Sequence, residues 1–181
     1  MAAVLYDRGM SAHVDSVIIR PARIEDLPRL TEIYNHYVVN TPTTFDLEPF
    51  TVEQRCSWFE RYGSTGRYRL LVAEEAGAVL AYTSSSPFHA RHAYDTTVET
   101  TILCAPEAVG RGLGRRLYAA LFDALLGEDV HLIMALITLP NDASCTLHER
   151  FGYQREAVLR EVGRKFGQYW DVAYYARPFG D

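Results

Sequence analysis

The hydrophobic pattern divides the chain into strand-like and helix-like stretches before any motif is considered. Val17 to Arg20 reads as a short strand, and from Ile24 the apolar positions Leu27, Leu30, Ile33, Tyr34, Tyr37 and Val38 recur at helical spacing. Asn40 to Pro49, rich in Pro and Thr, reads as a loop. Val52 to Tyr62, carrying Trp58 and Phe59, predicts a second short helix that Gly63 and Gly66 end. Tyr68 to Ala73 and Ala78 to Ser84 predict a hairpin, and Asp95 to Cys104 a further strand. After Pro106 and a glycine loop, Leu113, Leu117, Tyr118, Leu121, Phe122 and Leu125 mark a strongly amphipathic helix. His131 to Leu139 is continuously apolar, as a buried strand is. Asn141 to Phe151 predicts a short helix, and Ala157 to Glu161 and Trp170 to Ala176 predict closing strands. This order gives one mixed α/β sheet with helices on both faces, without the strict alternation of a doubly wound parallel sheet.

Residues 1–16 are aperiodic and read as a flexible extension, leaving 17–181 as a single domain. With 181 residues, 48% of them hydrophobic, the chain is large enough to bury a core without disulfides or structural metal. Eighteen basic against 23 acidic residues give a net charge of −5, and outside Arg111, Arg115 and Arg116 the basic residues are scattered, which argues against nucleic acid as partner. Cys56, Cys104 and Cys145 lack zinc or redox spacing and read as reduced thiols. The amino terminus has no leader pattern, and no apolar run reaches the roughly 20 residues needed to span a bilayer, so a cytoplasmic protein off the membrane is expected. His89 and His92 stand without a nearby acid at ligand spacing, and no metal is assigned.

The segment richest in chemistry is Val109-Gly110-Arg111-Gly112-Leu113-Gly114-Arg115-Arg116, between a strand and a helix. Glycines let successive backbone N–H groups converge at the positive end of the helix dipole, which suits a phosphate. An ATP-type loop would carry Lys then Ser or Thr where Arg115 and Arg116 stand, and a dinucleotide loop would carry glycine at Leu117. Both patterns fail. Glu99 sits mid-strand, where an acid is disfavoured without a reason, on one face with Thr97, Thr101 and Leu103. Tyr118 lies on the apolar stripe of its helix and reads as core, and Asn141 after Pro140 reads as a helix cap.

Over about residues 17–178 the chain resembles the GNAT superfamily of N-acetyltransferases. Its loop matches the family's Gln/Arg-x-x-Gly-x-Gly/Ala pattern at Gly112 and Gly114 and departs from it at Val109. A narrower resemblance, to the phosphinothricin acetyltransferase branch, rests on six blocks in order. These are Ile33 to Tyr37, Thr44 to Pro49, Tyr94 to Ile102, Leu139 to Ser144, Leu147 to Glu149 with Gly152-Tyr153, and Arg160 to Gly167; Tyr169 stands where the branch usually has Trp. The resemblance implies a mostly antiparallel central sheet flanked by helices, acetyl-coenzyme A as cosubstrate, a homodimer, and direct transfer to the amino group of phosphinothricin, methionine sulfone or methionine sulfoximine. It implies Glu99 as general base and His148 as an auxiliary acid, base or orienting residue. Coenzyme binding falls to main-chain groups of Ile102, Leu103 and Cys104, to the loop residues Gly110, Arg111, Gly112, Leu113, Gly114 and Arg115, and to Asn141. Phe45, Arg91 and Tyr94 would contact the acceptor. Two alternatives stay open: another amine as acceptor (protein N-terminus, polyamine or aminoglycoside), or an acyl-coenzyme A binding module without turnover.

Overall fold

A computed structural model describes residues 16–180; most of the expected amino-terminal extension therefore lies outside the described residues. The elements in order are β1 (Val17–Pro21), a 3-10 turn running into α1 (Leu27–Asn40), α2 (Val52–Phe59), β2 (Leu70–Glu75), β3 (Ala78–Pro87), β4 (Thr97–Cys104), α3 (Leu113–Leu125), β5 (Leu132–Thr138), α4 (Asp142–Arg150), β6 (Gln154–Lys165) and β7 (Gln168–Pro178). The strands form one sheet in the order β1-β2-β3-β4-β5-β7-β6. Every neighbouring pair is antiparallel except β4 and β5.

Local chemistry explains the boundaries. Thr51 caps α2 reciprocally with Gln54: the Thr51 hydroxyl accepts from the Gln54 N–H and the Gln54 side chain accepts from the Thr51 N–H. Ala76-Gly77 and Phe166-Gly167 both have positive φ, as the tight turns joining β2 to β3 and β6 to β7 require. From Val79 to Ser85 every residue of β3 is buried, because helices cover both faces of the sheet there. On one face Tyr82 packs edge-on against Trp58 of α2, and on the other Arg69, just before β2, donates to the Ala124 carbonyl of α3 at 3.1 Å. Leu113, Leu117, Tyr118, Leu121, Phe122 and Leu125 bury the inner face of α3, as their spacing predicts.

The last hairpin is longer than its sequence suggests. β6 begins at Gln154 rather than Ala157 and runs to Lys165 rather than Glu161, and β7 extends the expected Trp170–Ala176 at both ends. Residues 154–162 are exposed in an edge strand, so no buried face imposes alternation on their sequence. Two extra residues also bulge out between Leu159 and Gly163, where Glu161 takes a positive φ and its N–H donates to Asp171.

Candidate active site

Parallel pairing between β4 and β5 is confined to three positions, Thr97 with Leu132, Val98 with Ile133 and Glu99 with Met134. Beyond Glu99 the strands part. β5 stays paired with β7 as far as Thr138, and β4 stays paired with β3 as far as Cys104. The wedge between them is a 380 Å³ cavity lined by Glu99 to Leu103, Ala135 to Thr138, Tyr118, Asn141, Ser144, His148 and, from the loop before α2, Thr44 and Phe45. A strand edge that has lost its neighbour presents main-chain donors and acceptors to whatever enters. Ile102 and Leu103 lie on that edge. The Cys104 carbonyl accepts from the Tyr37 hydroxyl at 2.7 Å, and burial pushes the Cys104 thiol pKa up, away from nucleophile chemistry.

Glu99 stands at the point where the strands diverge. Burial raises its carboxyl pKa above the usual range, since desolvation penalises the charged form. A carboxylate so placed is a better proton acceptor than one in water.

Across the wedge runs a buried chain of polar groups. His148 is 3% exposed, and its Nδ1 lies 2.7 Å from the Ser144 carbonyl oxygen, which can only accept. Nδ1 therefore carries the proton, and Nε2 accepts from the Tyr118 hydroxyl at 2.7 Å. Thr100 Oγ1 stands 3.4 Å from that hydroxyl and 2.7 Å from the hydroxyl of Tyr153. Burial lowers the His148 pKa and raises that of Tyr118 well above its ordinary value, so both are neutral at pH 7. Tyr118 is core, as its stripe position predicts, yet it also lines the wedge. Its place among apolar residues at helical spacing hid the polar end, and only the three-dimensional meeting with His148 exposes it.

The glycine loop opens onto α3. Gly110 and Gly112 have φ of +83° and +74°, and a Cβ on either would meet nothing within 4 Å, so the loop needs glycine for its backbone turn and its outer side is open. At Gly114 the reason is packing, since a Cβ would come 3.1 Å from Leu147. Arg111 donates to both carboxylate oxygens of Glu75 at 2.9 Å, Arg116 donates to the Val17 carbonyl at 2.6 Å, and Arg115 is exposed. Asn141 caps α4 by accepting from the Ser144 N–H at 3.1 Å, which leaves the NH2 end of the same amide for another partner.

Loop 41–51 is pinned to the β6 to β7 hairpin. Buried Lys165 donates to the Thr44 carbonyl at 2.6 Å, and the Phe45 ring lies so close to Gly163 that a Cβ there would come within 2.2 Å of it. Sequence reasoning chose Phe45 and missed both Gly163 and Lys165, whose proximity depends on the β6 bulge. Arg91 and Tyr94 are exposed on the turn before β4, where Tyr94 packs on Phe88 and His89, and neither joins the lining of the wedge. Among the described residues there is no group of three or more His, Cys, Asp or Glu able to hold a metal, and no helix is long and apolar enough to cross a membrane.

Residues 19–173 match the acetyltransferase (GNAT) domain model. A phosphinothricin N-acetyltransferase of Streptomyces coelicolor is 55% identical over 164 residues, covering 90% of this chain and 96% of the relative. An L-methionine sulfoximine/L-methionine sulfone acetyltransferase of Salmonella typhimurium is 34% identical, covering 86% of this chain and 91% of the relative. The solved structure of a phosphinothricin acetyltransferase from Sinorhizobium meliloti in complex with acetyl-coenzyme A superposes with a TM-score of 0.83 at 32% identity, covering 91% of this chain and 89% of that one. The wedge between β4 and β5, the glycine turn into α3 and these likenesses over nearly the whole chain lead to one assignment: the chain belongs to the GNAT acetyltransferase family.

Proposed function

We propose that the protein transfers the acetyl group of acetyl-coenzyme A to the amino group of a small amino-acid-like acceptor, phosphinothricin, methionine sulfone or methionine sulfoximine, with Glu99 as general base. The observation that carries this reading is the desolvated Glu99 carboxyl at the divergence of β4 and β5, beside an unpaired strand edge and a glycine turn with an open outer side. The relatives named for these acceptors support the substrate class.

The residues present fit the coenzyme. Main-chain groups of Ile102, Leu103 and Cys104 would hold its extended amide arm, the backbone N–H groups from Gly110 to Arg115 its pyrophosphate, and the Asn141 amide the arm nearer the thioester. Acetyl-coenzyme A supplies an acetyl group activated as a thioester. Glu99 takes the proton from the acceptor's ammonium, directly or through a water, and frees the lone pair for attack. A backbone N–H near Leu103 donates to the carbonyl oxygen as charge develops there. As the C–N bond forms the C–S bond breaks, the nitrogen gives up its second proton, and the departing thiolate takes one up. The Tyr118 hydroxyl in the wedge wall would be the source of that proton, which in the resting site it donates to His148 Nε2. Phe45 bounds the acceptor side of the wedge, and Arg91 and Tyr94 would approach the acceptor from the turn before β4. Assembly as a homodimer in the cytoplasm belongs to the same proposal. The exposed apolar side chains Val158, Leu159, Val162, Phe166 and Tyr169 on the last hairpin support a second copy as partner.

The test is thiol release from acetyl-coenzyme A against a panel of phosphinothricin, methionine sulfone, methionine sulfoximine, polyamines, aminoglycosides and short peptides. Saturable turnover confined to the three amino-acid analogues is expected. Turnover with another amine alone would overturn the acceptor class, and coenzyme binding without turnover on any amine would overturn catalysis.

A further inference from the structure

Alternation along β4 sends the Thr100 side chain to the opposite side of the sheet from that of Glu99, where it meets Tyr118 of α3 and Tyr153 at the foot of β6. Thr100, Tyr118 and Tyr153 are at most 4% exposed. Their hydroxyls lie together: Thr100 Oγ1 is 2.7 Å from the Tyr153 oxygen and 3.4 Å from the Tyr118 oxygen, and the two tyrosine hydroxyls also interact with each other. The partners fix where the protons point. Tyr118 donates to His148 Nε2, and Thr100 donates to the Met134 carbonyl at 3.2 Å, which can only accept. The Tyr153 proton then points into the cluster, at Thr100. Of three hydroxyl protons, two go out to fixed acceptors and one stays inside.

We propose that Thr100 and Tyr153 are positioning residues that hold the Tyr118 oxygen as a phenolate while its proton is on the departing sulfur. The proposal rests on the reading of Tyr118 as the source of that proton. As the C–S bond breaks, the bonding pair stays on sulfur and the sulfur takes the Tyr118 proton. A negative charge is left on a fully buried oxygen, which is costly without donors. His148 cannot supply one, because its single proton is on Nδ1, held by the Ser144 carbonyl, and Nε2 presents a lone pair. Thr100 can. Rotation about its Cβ–Oγ bond turns the hydroxyl proton from the Met134 carbonyl to the phenolate, and Thr100 still accepts from Tyr153. Two donors in series then end on the charge, each strengthening the other. The second proton given up by the nitrogen returns through water to the phenolate, and Tyr118 donates to His148 again. The nitrogen's proton has thus reached the thiol by way of Tyr118. Burial raises the Tyr118 pKa, and the hydrogen bond with Thr100 acts against that rise. One strand therefore serves both proton transfers, with Glu99 as base on one side and Thr100 behind the acid on the other.

The experiment is steady-state transfer to the amine that turns over fastest in the panel above, beside acetyl-coenzyme A affinity. The variants are Thr100→Val, Thr100→Ser, Tyr153→Phe, Tyr118→Phe, and Thr100→Val combined with Tyr118→Phe. Loss of a hydrogen bond to a charged group predicts a kcat about 10- to 100-fold lower in Thr100→Val. Both KM values and the coenzyme affinity should hold, because the phenolate exists only during transfer. Tyr153→Phe acts one step further off and should lower kcat about 5-fold. Thr100→Ser restores the hydroxyl and should keep kcat near wild type. In Tyr118→Phe, adding Thr100→Val should lower kcat no further, since no phenolate is left to hold. A packing role for Thr100 would instead lower kcat by the same factor in both backgrounds and would not be rescued by serine; that result overturns the proposal. A wild-type kcat in Thr100→Val beside a slow Tyr118→Phe overturns the proposal and leaves Tyr118 as the proton source. If Thr100→Val does not fold, a wild-type kcat in Tyr153→Phe overturns the proposal in its place. A wild-type kcat in Tyr118→Phe overturns the proton-source reading and the proposal with it, as does a wild type that turns over no amine.

Discussion

The Nε2 of His148 lies 2.7 Å from the hydroxyl of Tyr118, and the histidine's other nitrogen is fixed on the Ser144 carbonyl. The imidazole is thereby locked in one tautomer, with its acceptor nitrogen turned to the tyrosine. Tyr118→Phe leaves that nitrogen buried without a donor, a loss of about 1–3 kcal/mol. If the hydroxyl supplies the thiolate's proton, the same variant lowers kcat about 100-fold, the lower end of general acid effects. Denaturant unfolding and turnover measured together check both; a destabilised variant with wild-type kcat would restrict Tyr118 to the core.

His148 also links stability to pH. Burial lowers its pKa, so near and below pH 6.5 the unfolded chain binds a proton that the folded one resists. Stability from this group is full above the unfolded value and falls as pH drops through that window. Thermal unfolding from pH 7.5 to 5 should show wild type losing more stability than His148→Gln, which cannot take up the charge.

Gly163 leaves no room beside Phe45. In Gly163→Ala the new Cβ would come within 2.2 Å of the ring, so the ring or loop 41–51 must move. Overpacking of this kind costs about 1–3 kcal/mol, and with Phe45 on the acceptor side as proposed, the acceptor KM should rise about 10-fold while the acetyl-coenzyme A KM stays put. A rise in the coenzyme KM alone would contradict that placement.

Gly112→Ala tests the turn into α3. At φ of +74° an L residue is strained by about 1–2 kcal/mol, with no steric clash to add to it. Equilibrium dialysis should show weaker acetyl-coenzyme A binding with acceptor KM unchanged. Arg111→Ala, which removes a side chain already engaged by Glu75, should weaken binding far less.

Legibility in the sequence followed burial. α3 was readable because its buried stripe repeats at helical spacing, and β5 because it is apolar along its length. Most of β6 is exposed, so only its middle was found and its bulge not at all. Glu99 was visible as an acid that a strand disfavours, and the glycine turn as a spacing. Arg55 carried no such mark. On a short polar helix it reads as one more surface charge, and its burial arises from Tyr34 of α1, distant in sequence, meeting nearby Phe50 and Trp58 around it. Gly163 and Lys165 acquire their parts in the site only once the hairpin folds onto loop 41–51.

The most direct measurement is the pH dependence of kcat/KM for phosphinothricin in wild type and Glu99→Gln, beside acetyl-coenzyme A affinity and thermal stability. The raised Glu99 pKa means that the folded state holds this proton more tightly than the unfolded chain, so ionisation costs stability as pH rises through the folded value. Glu99→Gln should therefore unfold no earlier than wild type at pH 7. It should bind the coenzyme normally and lose about 100-fold or more in kcat/KM, together with the acid limb of the profile. A wild-type rate and an unchanged acid limb in Glu99→Gln would contradict the account at its centre.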